Sequence, residues 1–197
     1  MTMSKRGGTL LRRELGGLMS MILLVHGRKD VPADATPIRY GSAQKTFIIV
    51  MMVLGPFEIV LVELVVPWAW LRTVLLVVAI YGVIWMFGYY SGLHTRPHYI
   101  DFERLVLRNG HLAAASVDVG FVNAARRETH EKYKGLVAVE DDVVAVPGMN
   151  GTALTLTLEP ETPVQVQGRG TVRAREIRFD ADDPEAALRS IRQRLAG

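Results

Sequence analysis

The sequence predicts a membrane α-helical hairpin joined to a β-rich domain of about seven antiparallel strands and one C-terminal helix. Two apolar runs of 21 residues, 46–66 and 70–90, stand three residues apart, and about 20 residues carry a helix across the hydrocarbon layer. After residue 96 the apolar runs shorten to strand length and alternate with turn residues. We therefore divide the chain into a basic N-terminal segment (1–45), a transmembrane hairpin (46–90) and a cytoplasmic domain (96–197).

The composition of the 197-residue chain excludes several classes of site. It contains no cysteine, which excludes disulfides, thiol nucleophiles and cysteine-bound metal sites. The formal net charge is +3, but the basic excess lies before the hairpin. Residues 1–46 hold eight Lys and Arg against three acids, whereas residues 100–197 hold thirteen against fifteen. Because a nucleic-acid interface needs a basic excess, we expect no nucleic acid among the partners.

The two apolar runs predict a tight antiparallel hairpin, because only residues 67–69 separate them. Trp68 and Trp70 at the turn fit the aromatic belt found where membrane and water meet. The turn itself holds no Lys or Arg, whereas both flanks of the hairpin are basic. Since basic flanks stay in the cytoplasm, we expect two spans in the inner (cytoplasmic) membrane with both termini cytoplasmic. A core hairpin of a soluble protein is the alternative.

The N-terminal segment contains a shorter apolar run, 15–25, with basic pairs on both sides. Eleven residues are short for a span, and the basic flanks favour a helix lying in the cytoplasmic interface, next to anionic headgroups. Packing of this helix on the soluble domain is the alternative. Residues 31–45 include two prolines and predict a linker. The residues expected to contact lipid or a partner are Arg12, Arg13, Arg28 and Lys29.

Charged residues interrupt both apolar runs, although charges inside a bilayer are costly and usually face protein or water. Glu58 and Glu63 lie in the first run, and Arg72 lies near the start of the second. Glu63 and Arg72 stand at similar depth from the turn, which predicts an ion pair. A rise of about 1.5 Å per residue places Tyr81 level with Glu58 and predicts a hydrogen bond between them. Pro56 removes one backbone hydrogen bond and predicts a kink.

The intramembrane carboxylates leave several roles open. Glu58 and Glu63 are five residues apart, roughly 140° around a helix, so both cannot face the second helix squarely unless the kink turns one of them. One of them then faces another subunit, or Glu58 is protonated through burial. A clamp that fixes the hairpin, or a contact with a partner helix, is favoured over a proton or cation relay, because two helices alone enclose no pathway.

The distal domain alternates short β-rich runs with turn sequences. Asn109-Gly110 is a strong signal for a two-residue hairpin turn. A helix ends the domain, because Asp183 can cap its N-terminus and Pro184 favours its first position. The predicted strands are 105–108, the run from 111 onward, 119–126, 136–140, 143–146, 153–158, 164–166 and 171–179.

This order of strands, followed by one helix, resembles bacterial membrane proteins that join a two-helix hairpin to a pleckstrin-homology-like (PH-like) domain. The residues that carry the resemblance are ERLVLRNGHL (103–112), ALTLTL (153–158) and REIRFDADDPEAALRSIRQRL (175–195). The resemblance extends over the whole distal domain and includes the hairpin by architecture. It implies a PH-like fold and a scaffolding or interaction role. The first hairpin turn holds too few basic residues for a phosphoinositide site.

The sequence contains no motif for catalysis or for phosphate binding. His94 and His98 are four residues apart, but Pro97 breaks the helix that would align them on a metal ion. We therefore expect no metal, no cofactor and no enzyme activity. The charged segment 126–134 is interpreted as a solvated connection or as a contact with anionic lipid or a partner. Its basic residues are Arg126, Arg127, Lys132 and Lys134.

These patterns together predict a membrane-anchored, non-enzymatic interaction or assembly protein. Its cytoplasmic domain would hold a protein partner at an exposed sheet edge or in a groove beside the helix. The alternative is a small subunit of a transporter or channel, in which Glu58 takes up and releases a proton. That alternative needs a homo-oligomer, because one hairpin has no lumen. The expected partners are the lipid bilayer and a membrane or cytoplasmic protein.

Overall fold

The computed structural model describes residues 3–131 and 133–195, with side chains from Glu14 onward. The helices are α1 (Met3–Val25), α2 (Ser42–Val65), α3 (Ala69–Thr95) and α4 (Pro184–Leu195), with a 3-10 turn at Val119–Phe121. The strands are β1 (Thr36–Ile38), β2 (His98–Ile100), β3 (Arg104–Asn109), β4 (Ala113–Asp118), β5 (Val122–His130), β6 (Ala138–Glu140), β7 (Val143–Val146), β8 (Thr152–Val166) and β9 (Gly170–Phe179).

Helices α2 and α3 form the hairpin. Both are long and apolar enough to cross a membrane, with mean hydropathies of 2.4 and 2.0 over their most apolar stretches. Most of their apolar side chains point away from the rest of the chain: Phe57 keeps 70% and Leu64 80% of its surface exposed. Because exposed apolar area of this extent is unfavourable in water, the hairpin favours an apolar environment.

Among the described residues, eight strands of the distal domain and strand β1 from the N-terminal segment form one mixed, mostly antiparallel sheet, which is followed by the C-terminal helix. The strand order is β1-β2-β3-β4-β8-β9-β7-β6, and β5 pairs with β8 as well. The β7–β9 pair is parallel, with Val144 opposite Ile177, whereas the remaining pairs are antiparallel. The expectation of about seven antiparallel strands is corrected to nine strands with one parallel pair, and the PH-like fold is not confirmed.

Two of the strands lie where no strand was predicted. Strand β1 belongs to the segment predicted to be a linker, and it pairs with β2 so that Thr36 faces Ile100 and Ile38 faces His98. Each strand has only three residues, which is too short to show the alternating pattern that marks a strand. The pairing ties residues from before the hairpin to residues that follow it.

Strand β8 is a single 15-residue strand where two shorter strands were predicted. Its register with β9 shifts between Thr157 and Thr162, and Glu161 adopts a positive φ of 59° at this irregularity. A bulge of this kind lets a strand continue past residues that leave the ladder. The first half of β8 pairs with β5 and the end of β8 pairs with β4, so β8 connects both parts of the sheet.

The core lies between the inner face of the sheet and α4. Fully burying each large apolar side chain contributes about 1.5–3 kcal/mol. Helix α4 begins as predicted, since the Asp183 carboxylate accepts the Ala186 N–H at 2.9 Å. The buried apolar side chains of β8 and β9 include Leu154, Leu156, Val164, Ile177 and Phe179, and those of α4 are Ala187, Leu188 and Ile191.

A stack of aromatic rings joins the hairpin to the sheet. The ring of Tyr40, just before α2, lies 3.9 Å from that of His98 at an interplanar angle of 4°, and Phe179 meets His98 edge-on at 5.7 Å. The His98 Nδ1 accepts the Arg108 N–H at 2.8 Å, so its Nε2–H donates to the Asp180 carbonyl at 3.2 Å. Burial lowers the pKa of His98 to about 3. This histidine is therefore a neutral structural residue whose two nitrogens are both occupied.

The β3–β4 turn, Asn109 to His111, packs directly against the end of α3. The Gly110 N–H donates to the Tyr40 hydroxyl at 2.6 Å, and the Tyr89 hydroxyl donates to Asn109 Oδ1 at 2.7 Å. A Cβ atom added at Gly92 would lie 2.8 Å from His111 Nδ1 and 3.1 Å from its backbone nitrogen. The turn can approach this closely only because Gly92 has no side chain. We call the stack and this turn together the junction.

Helix α1 packs on the hairpin and on the junction. A Cβ atom at Gly88 of α3 would lie 3.4 Å from the Cα of Gly17, and one at Gly16 would lie 3.2 Å from the His111 ring. The structure thus gives α1 neighbours within the chain, and its location in the lipid interface stays a prediction. Its outer face is apolar and exposed at Leu15, Leu18, Met19 and Ile22.

We predict that acid destabilises the protein through His98. Its pKa lies near 3 in the folded chain against an ordinary 6.5, so the unfolded chain binds the proton more tightly. The contribution of neutral His98 is complete above pH 6.5 and is lost as the pH falls toward 3, by at most about 1.4 kcal/mol per pH unit. The measurement is the free energy of unfolding in detergent between pH 7 and pH 4.

The control compares His98→Gln with His26→Gln, since His26 is exposed in the turn that follows α1. Burial also lowers the pKa of His111, which adds pH dependence in the same direction and is present in both variants. We expect His98→Gln to flatten the pH dependence and His26→Gln to leave it unchanged. Identical slopes for the two variants would contradict this role of His98.

Candidate functional site in the helical hairpin

An apolar groove with a volume of about 680 Å³ lies between α2 and α3. One carboxylate, Glu58, is the only acidic or basic side chain among its described lining residues. We call this feature the hairpin groove. It extends from the middle of the hairpin to the sheet domain. Its lining residues are Gln44, Phe47, Ile48, Met51, Met52, Gly55, Pro56, Glu58, Ile59, Ala79, Gly82, Val83, Trp85, Met86, Tyr89 and Met149.

Pro56 and Gly55 lie on the α2 side of the groove. Helix α2 continues through Pro56 from Ser42 to Val65. Because proline has no backbone N–H, the carbonyl one turn earlier, that of Met52, receives no helical hydrogen bond from it. The kink expected at Pro56 stays a prediction. The proline and the glycine leave this part of the groove without a long side chain.

Glu58 projects from α2 into the hairpin groove and also lines a second cavity of about 210 Å³. Its side chain is exposed. Among the residues that the structure describes, no hydrogen-bond donor or cation pairs with it. The carboxylate is therefore available to a group from outside the chain.

The predicted hydrogen bond between Glu58 and Tyr81 is not formed. The Tyr81 hydroxyl instead donates to Glu14 Oε1 of α1 at 3.0 Å. Tyr81 shares its helix face with Ile84, Trp85 and Gly88, which line a small cavity against α1. Depth along the hairpin was estimated from the sequence, but the face of α3 depends on where α1 packs. Glu14 is the only acid among the first 29 residues. This isolated charge was the one feature of the sequence that could have pointed to its bond with Tyr81.

Glu63 and Arg72 form the pair that the sequence predicts. The Arg72 Nη1–H donates to Glu63 Oε1 at 3.1 Å. The pair joins the two helices beside their turn and lines the second cavity together with Glu58. The two acids of α2 thus differ, because Glu63 has its cation within the hairpin.

The basic residues predicted to contact lipid or a partner have separate surroundings. Arg126 pairs with Glu128 at 2.9 Å and with Glu176 at 3.2 Å, and Arg127 pairs with Glu185 at 3.5 Å. The hydrogen bond from Arg126 lowers the pKa of Glu128. These ion pairs reduce the field of the charged segment, and its contact with lipid or a partner stays a prediction. Lys134, Arg28 and Lys29 are exposed, while Lys132 and the side chains of Arg12 and Arg13 lie outside the described residues.

Several residues around the hairpin groove were not identified from the sequence. Met149 reaches the groove from the β7–β8 turn, and Tyr89 lies at the same end and bonds the β3–β4 turn. Of these two residues, only Tyr89 could have been identified from the sequence, because aromatic residues are common at the ends of membrane helices. Met149 occupies a turn, and its contact with the hairpin depends on how the sheet is placed by the junction.

The sequence matches no protein-family model, and no curated protein or solved structure shows significant similarity to it.

We predict that Glu63→Ala lowers stability more than Glu161→Ala. Glu161 is a matched control, since it pairs with Arg173 at 3.0 Å on an exposed surface where both side chains are about 70% exposed. Exposed pairs contribute about 0–1 kcal/mol. Within the chain Glu63 is 67% and Arg72 34% exposed, so the difference comes from the apolar bilayer around the hairpin, where Glu63→Ala would leave the Arg72 charge without a partner in a medium of low dielectric constant. The measurement is the thermal unfolding midpoint in lipid nanodiscs, and equal decreases would contradict a clamp at Glu63.

Proposed function

We propose that this chain is a membrane-anchored, non-enzymatic interaction or assembly protein that presents its sheet domain to a protein partner. The observation that carries the proposal is the junction. Tyr40 and Tyr89 bond the β3–β4 turn, and Tyr40 also stacks on the buried His98. A domain that only needed tethering would require no such contacts, whereas a domain that must meet a membrane-bound partner in one orientation does.

We propose that the protein crosses the inner membrane twice, with both termini cytoplasmic. The exposed apolar surface of α2 and α3 supports two spans. The uncharged turn at 67–69 and the basic N-terminal segment support this orientation through the positive-inside rule. In this arrangement the sheet domain and the cytoplasmic end of the hairpin groove lie on the same side of the membrane.

We further propose a distant relationship between the sheet domain and PH-like domains. The mostly antiparallel sheet and the C-terminal helix packed on its core support the relationship. The parallel β7–β9 pair is a departure from the arrangement expected for such a domain. The relationship would imply an interaction role, consistent with the proposal.

On the sheet domain, the cleft beside α4 is favoured over the β1 edge for a partner. Strand β1 ends the strand order, but it contains Pro37, which has no N–H to offer an added strand. Proline on an edge strand is a common device against strand addition. A cleft of about 410 Å³ lies next to this edge, lined by residues that include Ile38 of β1, Asp183 just before α4 and Ser190 of α4.

The second candidate function is a small transporter or channel subunit. Its support is Glu58, an acid that lines two cavities and has no partner among the described residues. This function requires a ring of subunits with Glu58 facing the centre, because two helices do not enclose a pathway. The stoichiometry of the complex distinguishes the two functions.

The test is purification of the full-length protein in mild detergent from its own membranes, with the mass of the complex measured by light scattering. The interaction function predicts a complex heavier than the 21.9 kDa chain that contains a second protein at fixed stoichiometry. A homo-oligomer of four or more chains without a second protein would favour the transporter function. A monomer without partners would contradict both.

A further inference from the structure

We propose that the hairpin groove binds a membrane-spanning helix of another protein, and that this helix carries a Lys or Arg side chain opposite Glu58. The inference rests on the proposed function in two respects, since it requires that the protein spans the membrane and that it has a protein partner. To the cleft beside α4 it adds a second site, within the hairpin, together with the structural class of the partner segment bound there and the residue that recognises it.

The length of the groove fits a helix. Its α2 side extends from Gln44 to Ile59, and 15 steps along a helix rise about 22 Å. The α3 side is lined down to Tyr89. Because the α3 lining begins at Ala79, ten steps and about 15 Å from Tyr89, both helices border the groove for about three helical turns, as they would along a helix lying beside them.

Small residues allow a partner backbone to approach the floor of the groove. A Cβ atom added at Gly82 would meet no atom within 4 Å, and one added at Gly55 would meet only Val83, at 4.0 Å. Close approach between backbones is a main source of helix association in membranes, where the hydrophobic effect does not drive it. The two glycines only make room for a helix backbone. The charge of Glu58 is what makes the groove selective for a particular partner.

Glu58 determines the chemistry of the partner. An ionised carboxylate accepts hydrogen bonds and donates none, and hydrocarbon chains supply no donor. Acidic side chains inside membranes normally pair with another protein group, yet no described residue of this chain pairs with Glu58. A Lys ammonium or an Arg guanidinium on a neighbouring helix supplies both the donor and the opposite charge.

A second copy of the chain fits this site poorly. A two-fold symmetric contact through the groove would bring two Glu58 carboxylates together, and like charges repel in a low-dielectric environment. The Lys and Arg side chains of α2 and α3, Lys45 and Arg72, are already paired, with Asp182 at 4.0 Å and with Glu63 at 3.1 Å. Charge complementarity therefore favours a different protein over self-association.

The groove also connects the partner helix to the sheet domain. Met149, on the β7–β8 turn, lines its cytoplasmic end together with Met52 and Met86 from the hairpin. Methionine side chains are flexible and adapt to irregular apolar surfaces. A helix in the groove would contact both the hairpin and the sheet domain. Binding in the membrane would therefore also involve the sheet domain, which the junction holds against the hairpin.

The experiment uses photo-crosslinking in native membranes. A photoreactive amino acid replaces Met52, which lines the groove, and as a control it replaces Val60, which is exposed and lines none of the cavities described. We expect a protein adduct from position 52 and none from position 60. Mass spectrometry should place the adduct in a membrane-spanning segment that contains Lys or Arg.

Substitutions at Glu58 test the charge pairing. We expect Glu58→Leu, and its nearly isosteric alternative Glu58→Gln, to lower the adduct yield at least about tenfold, as breaking a buried charge pair does. Glu58→Lys should abolish the adduct, and replacing the partner's basic residue with Glu should restore it. Rescue by this charge exchange would be specific to a direct pair.

Three results would overturn the inference: an adduct between two copies of this chain, an adduct with lipid only, or an adduct yield that Glu58→Leu and Glu58→Gln leave unchanged. A partner that still co-purifies at fixed stoichiometry with Glu58→Leu, without crosslinking at position 52, would leave the proposed function intact and reject the groove. If no partner co-purifies with the unmodified chain, the proposed function itself fails.

Discussion

The close approach of the β3–β4 turn to the end of α3 is the contact on which the rest of the structure depends. It requires Gly92, because a side chain there would overlap His111. With the turn in place, Asn109 reaches Tyr89 and the Gly110 N–H reaches Tyr40. The ring of Tyr40 then stacks on the ring of His98 and shields these hydrogen-bonded groups from water. Burial raises the pKa of Tyr40, so its hydroxyl stays neutral and keeps its hydrogen bond.

The two acids of α2 illustrate how position within the hairpin decides a role. Glu63 lies beside the turn, where Arg72 of the second helix is within hydrogen-bonding distance. Glu58 lies deeper, where α3 presents the small or apolar residues Ala79, Gly82 and Val83. The same residue type therefore serves the internal structure at one position and remains available for binding at the other.

Much of the architecture could be predicted because its signals are local. Helix length and hydropathy indicated α2 and α3, Asn109-Gly110 indicated the β3–β4 hairpin, and Asp183 indicated the start of α4. Strands β1 and β2 were missed because three residues carry no periodicity. The parallel β7–β9 pair could not be predicted, since it joins strands that are distant in the chain.

The candidate site could be predicted only in part, because only some of its features have local signals in the sequence. Glu58, Glu63 and Arg72 are conspicuous as charges inside apolar runs, and the depth of each follows from counting residues. Counting residues does not show which face of its helix each residue occupies, because that depends on tertiary packing. Tyr81 turns toward α1 and bonds Glu14, and the packing of α1 cannot be read from the hairpin sequence. The groove appears only when α2, α3 and the turn bearing Met149 are placed together.

The most direct test of the junction is a distance measurement between two spin labels in lipid nanodiscs. The chain contains no cysteine, so cysteines introduced at Val77 of α3 and Arg169 of the β8–β9 turn would be the only ones labelled. A rigid junction predicts a single narrow distance distribution, kept by Gly82→Ala, which adds a methyl group in open space, and broadened by Gly92→Ala, which adds one against His111. A broad distribution in the unmodified chain, or identical distributions for the two glycine variants, would contradict the account.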